Sequence, residues 1–128
     1  PYARKRLDRL MRHVLEAGLG LDRSVPEQMH LLRIECKKLR YAAEFFAPIV
    51  SGLDDFIGRL KGLQDLLGVL NDVAVMSELL AELLADESDI EVIRYSGALI
   101  GWRTYQAYDL LKGFEERWRE FRRVERPW

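Results

Sequence analysis

The chain has 128 residues, 48% of them hydrophobic and 32% charged, with a formal net charge of −1. That is the size of one ordinary domain, too apolar for a disordered chain and without the strong basicity that accompanies bulk nucleic-acid affinity. No apolar run approaches the ~20 residues of a membrane span, and no signal-peptide pattern opens the chain.

The single cysteine, Cys36, has no partner for an internal disulfide, which suits a reducing, cytoplasmic setting. The chain begins at Pro1 rather than Met, and is read as a piece of something longer. Charge is unevenly spread. Residues 1–40 carry ten Lys/Arg against five Asp/Glu, and residues 41–113 carry five against twelve. A basic region on a nearly neutral protein points to a localised anionic ligand.

Four helices and no strand are expected, in an all-α, antiparallel four-helix bundle with two long C-terminal helices, one domain over 1–128. The first helix spans about Tyr2 to Ala17 and stops at "GLGLD", where Gly18 and Gly20 offer left-handed caps. The second opens at "SVPE": Ser24 and Glu27 have capping-box spacing, Pro26 suits the first turn, and Pro48 ends the run at Ala47. "SGLD" at Ser51–Asp54 opens a third helix reaching about Leu84. Ser88 with Glu91 makes another box for a fourth, from Asp89 to about Arg123. Long helices joined by short loops pack up and down.

The second helix carries "MHLLRIECKKLRY", which holds His30, Arg33, Lys37, Lys38 and Arg40 with one acid, Glu35. At about 100° per residue, Arg33, Lys37, Arg40, Tyr41 and Glu44 all fall within about 80° of His30. Leu31, Leu32, Ile34, Leu39, Ala42, Phe45 and Phe46 occupy the other arc. Like charges at this spacing repel by a few tenths of a kcal/mol each, a mild cost that an anion would remove. Arg offers a planar fork to phosphate oxygens, Lys a compact mobile charge, His30 a donor, and Tyr41 a neutral hydroxyl. The plainer reading is a solvated face paired with acids of the third helix.

A second patterned stretch, "LKGLQDLLGVLNDVAV", puts Lys61, Asp65, Gly68 and Asp72 on one polar seam of the third helix. Gly68 inside a helix costs ~1 kcal/mol relative to Ala, which suggests close approach by a neighbouring helix or side chain. Asp65 and Asp72 are candidates to hold the cations in place from behind the ligand, or to form ordinary salt bridges.

Together, "MHLLRIECKKLRYAAEFFAP" and "LKGLQDLLGVLNDVAV" closely resemble the CHAD domain, the conserved histidine α-helical domain. The closing Trp118, Phe121 and Pro127-Trp128 look like that family's C-terminal end. The resemblance implies binding of inorganic polyphosphate, without catalysis, through His30, Arg33, Lys37, Lys38, Arg40, Tyr41 and Lys61. It also implies a complete domain of two similar halves facing across a basic channel, of which this chain matches the second. A homodimer or a separate N-terminal half would then complete it.

Other chemistries find less support in the residues. His13, Arg9 and Arg12 on the first helix read as a solvated face, and Cys36 as a small buried side chain. The tryptophans and most Phe and Tyr fit core and end-packing roles. Two distant histidines and one cysteine are too few for a closed zinc site, so no cofactor or metal is expected. The Asp65/Asp72 seam is a poor Mg²⁺ cluster for a phosphatase, and no groove-reading motif for nucleic acid appears. A helical docking module and a weak metal chelator remain the alternative functions.

Overall fold

The computed structural model describes residues 1–22 and 25–128. Four helices follow in order: α1 (Tyr2–Gly18), α2 (Pro26–Phe46), α3 (Leu53–Leu84) and α4 (Ile90–Arg123). No strand occurs among the described residues. The expected spans hold to within a residue or two, whereas several caps fall elsewhere.

At the end of α1 it is Gly20, with φ +63°, that takes the left-handed turn. Gly18 remains helical and buried, because the Trp118 ring lies where its side chain would start. Pro26 opens α2 after Val25, while Ser24 lies outside the described residues. Ser51 does not cap α3; Gly52, at φ +83°, turns the chain into the helix instead. Ser88 does not cap α4 either. Asp89 does, its Oδ1 accepting from the Glu91 N–H at 2.9 Å. In both places the cap falls one position later than the serine.

Sequence neighbours pack as α1 on α2, α2 on α3 and α3 on α4. The pairs run antiparallel: Arg33 meets Gly68 and Arg117 meets Gly62, while Phe56 packs near Phe121. The bundle closes where Trp118 covers Gly18 and where the C-terminal tail returns to α1. There Asp8 Oδ1 accepts from Arg126 Nη1 at 2.8 Å and from Trp128 Nε1 at 3.0 Å.

The four helices do not match in length. At about 1.5 Å per residue, α3 and α4 are each about 50 Å long and α1 and α2 only about 25–30 Å. The common core therefore sits at one end. Leu7, Met11 and Val14 of α1 join Leu32, Cys36 and Leu39 of α2, Leu60, Leu63 and Leu67 of α3, and Phe114, Trp118 and Phe121 of α4. Each fully buried Leu of this set stabilises by roughly 1.5–3 kcal/mol.

Beyond it, α3 and α4 continue as a two-helix hairpin. Val75, Leu79 and Leu83 are exposed on α3, and Tyr95, Trp102, Tyr105 and Tyr108 on α4. This corrects the core role expected for the aromatic residues. Trp118 and four of the phenylalanines are buried, but Trp102 and all five tyrosines are exposed. A two-helix ribbon has only one seam in which to bury side chains.

Two outcomes test this packing. Gly18→Ala drives a Cβ into the Trp118 ring, and overpacking of about 1–3 kcal/mol outweighs the ~1 kcal/mol gained in helix propensity. Urea denaturation should show a net loss of stability.

The Trp128 and Arg126 hydrogen bonds hold the Asp8 carboxyl below its ordinary pKa, with the Arg126 and Arg12 charges adding to them. The folded chain thus binds this proton less readily than the unfolded one. The contribution is present above the ordinary aspartate range and is lost as pH falls through the depressed folded value. Asp8→Asn should lower the melting temperature at neutral pH, and the gap to wild type should close in acid.

Candidate anion-binding site

The rotation of α2 is set by what it buries. Leu32, Cys36, Leu39, Ala43 and Phe46 face the core, spaced three or four apart. Leu31 and Phe45, expected in the apolar arc, are exposed at its margins. The apolar arc of the sequence is wider than the strip that a neighbouring helix covers.

With the core face fixed, the cations on the opposite flank are displayed. His30, Lys37 and Tyr41 are exposed and Arg33 is half-buried. The Arg33 guanidinium lies across α3 at Gly68, where a Cβ would meet Nη2 at 3.8 Å and Nε at 3.9 Å. These are ordinary van der Waals distances, so an alanine would fit here and the close approach expected to require Gly68 is not formed. Tyr41 sits between two cations, 5.7 Å from Lys37 Nζ and 5.3 Å from the Arg40 guanidinium carbon, measured to the ring centre. Its negative face stabilises both charges and keeps them near each other.

The antiparallel register then places Lys61. From Arg33 to Arg40 is seven residues along α2, and from Gly68 back to Lys61 is seven along α3. Lys61 therefore lies level with Arg40, about 20° round α3 from Gly68, and it is exposed. By the same register Asp65 lies level with Lys37, and Asp72 near His30.

Both aspartates are exposed, and neither comes within ion-pair distance of a cation among the described residues. His30, Arg33, Lys37 and Lys61 likewise form no ion pair among the described residues. The pairing with acids of α3 that would make this an ordinary solvated face is not formed.

Two members of the predicted set are engaged on α2 itself. Arg40 Nε is 3.5 Å from Glu44 Oε1, outside hydrogen-bond geometry, so this buried N–H donates to nothing. Buried donors without acceptors are rare and mark places where a ligand or water belongs. Lys38 lies on the other side of the helix from Arg40, toward α1, and its Nζ reaches Glu35 at 3.4 Å.

Glu35 is itself mostly buried against α1, with Oε2 at 3.8 Å from His13 Nδ1. Lys38 thus neutralises the α1/α2 seam, while the remaining cations face α3. Sequence reading did not foresee the His13–Glu35 contact. Its only sequence signal was a lone acid inside a basic run.

Cys36 is buried in the core. Loss of water, with the Glu35 charge adding to it, pushes its thiol up to about 12, which leaves no thiolate for nucleophilic work near neutrality. Among the described residues no group of three or more His, Cys, Asp or Glu side chains is arranged to hold a metal ion. Among the described residues no helix is long and apolar enough to cross a membrane.

Comparison with known proteins adds one finding. The family model described as the CHAD domain matches residues 1–81, which cover α1, α2 and most of α3, including every residue of the α2 row and Lys61. No curated protein and no solved structure matches the chain at significance.

Proposed function

This chain belongs to the CHAD domain family, and from that footing we propose that it binds inorganic polyphosphate, or a similarly phosphate-rich polyanion, without transforming it. The observation that carries the reading is the open row of His30, Arg33, Lys37 and Lys61 across the α2/α3 seam, unpaired with any carboxylate among the described residues. Arg40 and Tyr41 extend the row, and Lys38 adds charge from its flank. Asp65 and Asp72 border the row and limit its positive potential.

A flexible chain of phosphates suits such a surface. Each unit presents oxygens to a guanidinium fork or an ammonium, and successive units meet successive cations along about 15 Å of seam. No acid–base pair, nucleophile or metal cluster belongs to the reading. The proposed partners are polyphosphate and, for a closed channel, either a second copy of the chain or an N-terminal half of the domain.

Binding should be strongly salt-dependent. Four neutralised phosphates predict a fall of about three log units in affinity per tenfold rise in salt. The Arg33→Glu/Lys37→Glu variant should bind at least about 100-fold more weakly, two charged hydrogen bonds being worth about 1.5–3 kcal/mol each. Isothermal titration with a defined polyphosphate at two salt concentrations measures both, and circular dichroism should stay unchanged. Undiminished affinity in the double variant would sink the reading.

The hairpin favours a second reading, a docking or dimerisation module. Val75 and Leu79 on α3 and Tyr95, Trp102, Tyr105 and Tyr108 on α4 are all exposed, and exposed apolar residues gathered in one region mark interaction sites. An apolar groove of about 280 Å³ continues it at the hairpin's base, lined by Met29, Leu70, Ala74, Ala107 and Tyr108 among others. Light scattering should give twice the chain mass, and Trp102→Glu/Tyr105→Glu should return it to one. A strictly monomeric wild-type protein rules this reading out.

A further inference from the structure

The four helices pack in chain order around the core, so the α4/α1 gap lies on the far side of the bundle from the α2/α3 seam. That gap gathers a second group of cations. Arg12 of α1 meets Arg122 and Arg123 of α4 around a hollow of about 410 Å³, over Leu15 and Leu19, with Glu16 the one acid in the lining. These arginines stand 110 residues apart in the chain and come together only through the closure of α1 on α4.

All three are exposed, and none forms an ion pair among the described residues. The nearest acid on α1 outside the lining, Asp8, is already bonded to Arg126 and Trp128, although Arg12 adds to the field that depresses its pKa. Lys5 and Arg9, both exposed, precede Arg12 by seven and three residues and continue its charge along α1.

Helix dipoles account for part of this. Arg122 and Arg123 sit in the last turn of α4, where carbonyl ends attract cations, whereas Arg12 stands outside the last turn of α1. Each helix end carries only about half a charge. The α4 end and Glu16 together offset about one and a half of the three guanidinium charges, which leaves a net positive excess around a hollow whose lining contains no other acid. Guanidinium forks over an apolar floor suit the oxygens of a phosphate group.

We propose that the α1/α4 gap is a second anion site, holding phosphate groups of a soluble polyphosphate, so that one domain grips chains on two opposite faces. It takes its ligand class from the reading above and shares none of its residues.

Calorimetric titration with tripolyphosphate, too short to reach round the bundle, counts sites on the intact protein. The wild-type chain should take two equivalents. The R12Q/R122Q/R123Q variant should take one, and Lys at the same three positions should keep the second.

If the triple variant loses helicity, R122Q alone takes its place, with the second equivalent weakened about tenfold. A folded gap variant that binds as many equivalents as wild type, with unchanged affinity, overturns the proposal. R33E/K37E reads the α2 face separately. Should that variant lose nothing while the gap variant loses one equivalent, the α2 reading fails and the gap site stands.

Discussion

Everything on the functional face follows from which side of α2 is buried. Leu32, Cys36 and Leu39 enter the same core as Leu60, Leu63 and Leu67 of α3, and a helix that commits one side to a core must show the other. Rotation by a single residue would move about 100° and carry the cations into the apolar core, where unpaired charges are far costlier than any ligand could repay. The hydrophobic strip therefore aims the basic row, and Arg33 reaches across to the neighbouring helix at Gly68.

Charge is then divided along the molecule. The bundle end holds the basic row and the arginines of the α1/α4 gap. The protruding hairpin, residues 69–113, holds eight acids against three basic residues. The hairpin is thus net negative and the bundle end net positive, even though the whole chain is nearly neutral. The hairpin's exposed aromatic and aliphatic residues belong to a different kind of contact, one that excludes water rather than pairing charge. The two surfaces are compatible on one domain because they occupy different ends of it.

Within the row, individual fates differ for local reasons. Lys38 has the composition of a site residue but the phase of the α1 flank, and there Glu35, mostly buried beside His13, claims it. Arg40 has the phase of the site, but its Nε is shut off from water with no acceptor. Lys37 and Tyr41 stand clear of both neighbours. Position on the helix wheel and depth against the next helix, more than residue type, separate the free cations from the engaged ones.

Periodicity and breakers were enough to place all four helices, the seam on α3 and the basic row on α2, because these depend on neighbours three or four residues away along one backbone. The caps at Ser51 and Ser88 were misread by one position, since Gly52 and Asp89 compete at the same turn and sequence spacing does not rank them. Which aromatic residues are buried was also beyond local reading. Trp118 and Trp102 look alike in sequence, yet one lies where four helices meet and the other where only two do.

Likewise the charges of Arg12, Arg122 and Arg123 are ordinary along the chain and become a cluster only when α1 closes on α4. Pairings between distant segments are set by how helices of unequal length share one core. No window of the sequence contains that information.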